Sequence, residues 1–267
     1  MRTPQLTGLK VPQMHSPDLT STIVVGEAST PEETRLYAIG DVHGCLDQLK
    51  RLHGNIEDDL TLRPVPAYQI IYLGDYVDRG PDSKGCIQFL IDKMAADPNV
   101  TCLKGNHEDK LRSFLKDPLR VSDSFLTYGG RELSLSYGVP PAPLMAADDA
   151  MITFRNALQT AIPAEHIAFM RALPTSHIVG DYMFVHAGIR PDISLNEQRD
   201  RDLMWIRSDF LFHSDPLNKV IIHGHTPNHN PEVKRNRINV DTLAYDTGNL
   251  TCVVLEGRKH LFLSTKR

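Results

Sequence analysis

Three short apolar runs each stop abruptly at a glycine-led polar string, and this punctuation constrains the 267-residue chain more than any other feature. Leu36-Tyr37-Ala38-Ile39 ends at Gly40-Asp41. Gln69-Ile70-Ile71-Tyr72-Leu73 ends at Gly74-Asp75, and Val100-Thr101-Cys102-Leu103 at Lys104-Gly105-Asn106-His107. Between the first two runs, Leu46, Leu49, Leu52 and Ile56 recur at helical spacing, with Asp47 in the first turn. Between the second and third, Cys86, Phe89, Leu90 and Met94 mark a helix from about Ser83 to Ala96. Strand, helix, strand, helix, strand at this spacing predicts parallel strands joined by right-handed crossovers.

The rest of the chain is read against that unit. Residues 1–33, with Pro4, Pro12, Pro17 and Pro31 among polar residues, are expected to form an irregular arm. Residues 34–267 are expected to form a single domain. From about 117 to 175 the strand signal vanishes and two helical patterns flank Pro163, which predicts a helical insertion. Short strands then return at Tyr182–Val185, Lys219–Ile222, Ile238–Val240, Thr251–Leu255 and His260–Leu263.

Composition removes several function classes. Lys and Arg number 29 against 33 Asp and Glu, a net charge of −4 that disfavours bulk nucleic-acid binding. No apolar run reaches membrane-spanning length, and Ile23-Val24-Val25 is too short for the core of a signal peptide. Cys45, Cys86, Cys102 and Cys252 form no C-x-x-C pair, so buried reduced thiols are expected. The expectation is a cytoplasmic chain that contacts neither membrane nor nucleic acid.

Five polar strings stand at the downstream ends of predicted strands: Gly40–Gly44, Gly74–Gly80, Gly105–Glu108, His186-Ala187-Gly188 and His223–Thr226. In open α/β sheets, ligands bind where such loops converge. Asp41 and His43, two apart on an extended strand end, can grip one cation. Asp75 can bridge two ions through its two oxygens, and Asn106, His186 and His225 would complete the second ion's shell. Oxygen and imidazole donors without thiolate suit manganese, iron or zinc. Two such ions about 3.5–4 Å apart polarise a phosphoryl group and activate water. Taken singly, each Gly-Asp reads as a helix cap, but the ensemble is hard to reduce to caps.

The strings Gly-Asp-Val-His-Gly, Gly-Asp-Tyr-Val-Asp-Arg-Gly and Gly-Asn-His-Glu resemble the motifs of the phosphoprotein phosphatase branch of the calcineurin-like metallophosphoesterases, bacterial type, over about residues 35–265. The resemblance implies an α/β fold, an α/β/β/α sandwich of central mixed sheets flanked by helices, with the helical insertion. It implies a metal-dependent Ser/Thr-type protein phosphatase, a hydrolase carrying two divalent ions, manganese first with iron or zinc as alternatives. Asp41, His43 and Asp75 would hold the first ion, and Asp75, Asn106, His186 and His225 the second. Arg79 and Arg207, with Asn106, would bind substrate phosphate. His107, oriented and kept charged by Asp78, would protonate the leaving group after direct attack by a metal-bridging hydroxide. The substrate would be a phosphorylated protein, with phosphotyrosine as a further option, or a small phosphate ester.

Departures from the pattern matter. Gly224-His225-Thr226-Pro227 carries Pro where nuclease-like relatives often have a second His, and Leu243 replaces a Gly in Asp241-Thr242-Leu243-Ala244-Tyr245. His223 is not claimed as a ligand. Arg207 could instead form a structural ion pair, Trp205 is read as a packing residue, and Glu108 as a helix-start carboxylate or partner of a ligand. Two other functions stay open: a symmetrical bis(5′-nucleosyl)-tetraphosphate hydrolase sharing the same motifs, and a catalytically silent adaptor.

Overall fold

The computed structural model describes residues 22–266, so the expected arm lies outside the described residues as far as residue 21. The described part of that segment runs on the body of the protein. Ile23 donates its N–H to Leu217 O at 2.8 Å and Val25 to Arg235 O at 2.8 Å, and Ala28 is fully buried.

The first half of the chain builds β1 (Thr34–Ile39), α1 (Leu46–Leu62), β2 (Ala67–Tyr72), α2 (Ser83–Ala96), β3 (Val100–Cys102) and α3 (Asn106–Lys116). Four helices follow in the stretch expected to be a helical insertion: α4 (Pro118–Phe125), α5 (Arg131–Ser136), α6 (Asp148–Ala161) and α7 (Ala164–Ala172). A π-helical turn, Leu126–Gly130, joins the first two. The second half supplies β4 (Ser176–Val179), β5 (Tyr182–Val185), α8 (Asp200–Trp205), α9 (Ser208–Leu211), β6 (Val220–His223), β7 (Glu232–Val233) and β8 (Arg237–Asn239). It ends with α10 (Ala244–Thr247), β9 (Thr251–Glu256) and β10 (Lys259–Ser264). No described helix is long and apolar enough to cross a membrane.

The strands form two five-stranded sheets, ordered β10-β9-β1-β2-β3 and β4-β5-β6-β8-β7. As the punctuation predicts, β1, β2 and β3 pair in parallel. Each sheet is nevertheless mixed: β9 runs antiparallel to β1, β4 to β5, and β7 to β8. Strands β4 and β7 go beyond what the sequence pattern predicts. Val179 is only half-buried and β7 is two residues long, so neither carries an apolar run.

Side chains alternate across each strand, and the sandwich buries both faces of central strands such as β1, β5 and β6. On β1, Leu36 and Ala38 enter the core between the sheets with Ile71, Phe184, Ile222 and Val253. Tyr37 and Ile39 point the other way, under α1, α2 and the insertion helices. On β5, Tyr182 and Phe184 face the inner core, whereas Met183 and Val185 pack with Leu203 and Phe210 of α8 and α9. The layers are therefore helix, sheet, sheet, helix. A strand buried on both faces reads as a continuous apolar run rather than an alternation, which is why these strands are visible in the sequence.

Candidate metal centre

The loops after β1, β2, β3, β6 and β8 meet at one end of the sandwich. Asp41, His43, Asp75, Arg79, Asn106, His107, Arg207, His225 and Asp241 line one cavity of about 140 Å³ there. His186, at the end of β5, lies fully buried against it. Segments far apart in the chain thus converge: across 184 residues, the His225 N–H donates to both oxygens of Asp41, at 3.1 and 3.2 Å.

Asp75 stands at the middle. Its Oδ2 lies 3.6 Å from His43 Nε2 and 3.3 Å from His186 Nε2. Its Oδ1 is occupied by the His107 N–H at 2.9 Å, which leaves Oδ2 to be shared. Two clusters able to grip a cation intersect on this carboxylate: His43, Asp75 and His107, and Asp75, His186 and His225. Asn106 Oδ1 joins the second at 2.8 Å from His186 Nε2. Asp41 belongs to neither tight triad but lines the same cavity.

The histidines are oriented from behind. His43 Nδ1 donates to Val77 O at 2.9 Å and His186 Nδ1 to Leu73 O at 3.1 Å. A backbone acceptor on Nδ1 turns Nε2 toward the cavity, the arrangement a metal-ligating imidazole needs. His225 Nε2 is buried and has no hydrogen-bond partner among the described residues. An orphaned imidazole nitrogen facing buried carboxylates fits a cation, so the donor set suits two divalent ions as the sequence leads one to expect.

Electrostatics points the same way. Burial, then Asp241, pushes Asp41 well above the usual carboxylate range. Burial also opposes ionisation of Asp75, but His186 and His107 outweigh it and hold Asp75 well below that range. His186 is disfavoured as a cation by burial, yet Asp75 and Asp41 push it up to about 9. Burial lowers His43 to about 3 and His225 to about 2, keeping both neutral as ligands must be.

Asp78 Oδ2 and His107 Nδ1 are 2.5 Å apart. The sequence leads one to expect that Asp78 keeps His107 charged near neutral pH. Burial instead lowers His107 to about 4 and raises Asp78 well above the usual range. The 2.5 Å contact to Asp78 fixes the His107 ring and leaves Nε2 on the cavity side, 3.9 Å from Asp75 Oδ2.

The backbone is strained at the site. Eight described residues other than glycine have positive φ, and six belong here: His43, Asp75, Asp78, Arg79, His225 and Leu243. Each such conformation costs about 1–3 kcal/mol and persists only where its surroundings enforce it. Glycines make room beside the carboxylates: a Cβ on Gly105 would collide with the Asp75 carboxylate, and one on Gly224 with Asp41 Oδ1.

Several contributors are missed or undervalued by sequence reasoning. Glu108 accepts the N–H groups of Gly105 (2.8 Å), Tyr76 (2.8 Å) and Asp75 (3.0 Å), tying α3 to the β2 loop. Tyr245 OH accepts from Arg79 Nη1 at 2.8 Å, and the guanidinium lies 4.8 Å from the ring centroid. Arg207 is exposed at the cavity mouth and makes no ion pair with a described carboxylate. Trp205, expected to pack, is half-buried and lines an adjoining groove of about 260 Å³ with Lys110, Tyr128 and Arg207. Lys110 Nζ lies 4.3 Å from the Tyr128 ring centroid and 5.5 Å from that of Trp205. His223 is fully buried against Phe210, outside the cage.

A family model for calcineurin-like phosphoesterases matches residues 34–254. Among curated relatives, a bis(5′-nucleosyl)-tetraphosphatase PrpE [asymmetrical] of Bacillus cereus (strain Q1) is 27% identical over 233 residues, covering 80% of this chain and 87% of the relative. The protein of the same name from Anoxybacillus flavithermus (strain DSM 21510 / WK1) is 27% identical over 238 residues, covering 80% and 88%. A solved structure provisionally named a diadenosine tetraphosphatase superposes with a TM-score of 0.59 at 18% identity, covering 89% of this chain and 98% of that one. A cold-active protein tyrosine phosphatase gives a TM-score of 0.53 at 18% identity, covering 88% and 81%. At these identities the structural likenesses show the fold alone.

Proposed function

Because the chain belongs to the calcineurin-like phosphoesterase family, whose members use a dinuclear metal site, we propose that it is a metal-dependent hydrolase of dinucleoside polyphosphates. The observation that carries this reading is the groove beside the cage. It shares Arg79, Asn106, His107, Arg207 and His225 with the metal cavity and continues to Lys110, Tyr128 and Trp205. A phosphoserine side chain needs only the cage. A polyphosphate with a nucleobase would also use the Lys110 ammonium and the two aromatic faces, since base stacking on an aromatic ring contributes about 1–3 kcal/mol. The names of the curated relatives support the same substrate class and unequal cleavage.

Two bound divalent ions, manganese first and iron or zinc as alternatives, would supply Lewis acidity and activate the attacking water. Asp41, His43 and Asp75 would hold one, and Asp75, Asn106, His186 and His225 the other. The chain's own residues do the rest. Arg79 and Arg207, at the mouth of the cavity, clamp phosphoryl oxygens; the Arg79 Nε is buried and unpaired, open to an anion. His107 presents Nε2 to the leaving oxygen while Asp78 fixes its ring.

Phosphoprotein hydrolysis is the second reading, because the 140 Å³ cage admits one phosphoryl group of any ester. Manganese-loaded protein should be compared on diadenosine tetraphosphate and on a phosphoserine peptide. We expect kcat/KM at least a hundredfold higher for the dinucleotide, with ATP and AMP as products rather than two ADP. Trp205→Ala and Lys110→Ala should erode that preference. A preference for the peptide would overturn the reading, and turnover unchanged after rigorous chelation would overturn the metal mechanism itself.

A further inference from the structure

Helix α3 borders a cavity on each of two faces. Positions 106, 107 and 110 border the metal cavity and its groove, whereas 108, 111, 112, 115 and 116 fall on the opposite side of a 3.6-residue helix. That opposite side borders a larger cavity, about 510 Å³, closed by α6 and α7. Four cations surround it: Arg112 and Lys116 on α3, Lys104 just before it, and Arg171 on α7. Arg112 is paired with Asp109 at 2.6 Å. Lys104, Lys116 and Arg171 have no carboxylate partner among the described residues. The base of the cavity is apolar, with Leu111 and Met170 buried. Its single acid, Glu108, is already engaged by three backbone N–H groups.

We propose that this cavity is a regulatory site for a nucleoside phosphate. Charge complementarity calls for an anion. The volume, in the range of small-molecule sites, is far larger than inorganic phosphate fills, and the aliphatic base requires a ligand with an apolar ring. Gln159, which also lines the cavity, accepts from Arg155 at 3.4 Å through Oε1, so its NH₂ is free to read a base edge. Occupancy is felt at the metals through α3. Glu108 lies on the cavity wall and holds the N–H groups of Asp75 and Tyr76, and Asn106 and His107 ride on the same helix.

The test uses p-nitrophenyl phosphate as reporter substrate with manganese-loaded protein and ADP as the probe. A nucleotide in the metal cleft competes and raises KM alone, whereas one behind α3 changes kcat. We expect ADP to change kcat at least twofold in the native protein. In the Lys116→Glu/Arg171→Glu variant that response should need at least tenfold more ADP, with basal kcat unchanged. Equilibrium dialysis should show one fewer ADP bound per variant chain. A purely competitive effect in the native protein, an unaltered kcat response in the variant, or binding of decanoate in place of ADP would overturn the proposal. The reporter is a simple ester, so these outcomes do not depend on whether the substrate is a dinucleotide or a phosphopeptide.

Discussion

His107 Nδ1 and Asp78 Oδ2 share a 2.5 Å hydrogen bond beneath the metal cage, with the Asp78 side chain fully buried and its other oxygen unpaired. In the mechanism we propose, this geometry would make the two residues one proton-delivery unit rather than two independent groups.

Asp78→Asn should therefore act on the leaving-group step. An amide cannot carry the shared proton, so the imidazole loses its fixed tautomer and its charge compensation. Turnover of phenyl phosphate should fall about a hundredfold or more. That of p-nitrophenyl phosphate, whose leaving group departs with little help, should fall by less than tenfold. His107→Asn should show the same leaving-group split, and the double variant should be no worse than either single one. Equal losses on both esters, or metal content lower than in the native protein, would place Asp78 in metal binding instead.

Tyr245 sets the posture of Arg79. The phenol accepts from Nη1 at 2.8 Å, the ring lies beneath the guanidinium, and its edge meets His43 at 5.4 Å between ring centroids. Tyr245→Phe removes one charge-assisted hydrogen bond and keeps the ring. Steady-state kinetics should show KM rising about threefold to tenfold with kcat within twofold, since such a bond contributes on the order of 1 kcal/mol. Tyr245→Ala should cost more, because the guanidinium loses both supports. A fall in kcat at constant KM would mean that Tyr245 acts on the reaction and not on phosphate capture.

The polar strings that line the cavity and most strands are legible in the sequence because their signals are local. A buried strand is a run of apolar residues, and a Gly-Asp or Gly-Asn stop marks where it leaves the sheet. The antiparallel return of β9 is visible as a strand, but its pairing with β1 is not, because that pairing joins segments more than 200 residues apart. Tyr128 and Trp205 face one groove only because the π-helical turn and α8 meet in space, and no spacing rule links residues 77 positions apart. The left-handed backbone at His43, Asp75, Asp78, Arg79 and His225 is hidden for a different reason. Sequence rules assign that conformation to Gly, and here the surrounding loops impose it on residues of the site that carry full side chains. Leu243 is the instructive case: a Gly-like position filled by Leu, and held at φ 57° all the same.

Glycines beside the cage should be intolerant of a single methyl group, and others should not. Gly224→Ala would drive a Cβ into Asp41 Oδ1, and Gly105→Ala into the Asp75 carboxylate and its backbone N. Each variant should fold, by circular dichroism, but lose at least half its bound metal, by atomic absorption. A Cβ added at Gly54, inside α1, meets nothing within 4 Å. Gly54→Ala should raise stability by about 0.5–1 kcal/mol through helix propensity and leave metal content alone. Full metal occupancy in both cage variants would show that the carboxylates can relax away from the crowding.

Far from the cleft, Asp59 makes part of the fold's stability dependent on its carboxylate charge. It accepts from Tyr37 OH at 2.6 Å, Arg35 Nη1 at 3.2 Å and Arg63 Nη2 at 2.6 Å. Burial alone would raise its carboxyl, but the hydrogen bonds from Tyr37 and Arg63 outweigh burial and lower it. A folded value below the unfolded one means that the unfolded chain binds protons first as pH falls. The stabilisation is therefore complete above the unfolded carboxylate value of about 3.9 and drains away as pH drops through the depressed folded value. Asp59→Asn should cost about 2 kcal/mol at pH 7 by urea unfolding, the scale of hydrogen bonds to a charged group. The difference between native protein and variant should shrink steadily below about pH 4, where the native carboxylate is itself being neutralised. A gap that stays constant down to about pH 3 would assign the effect to packing around Tyr37 rather than to the charge.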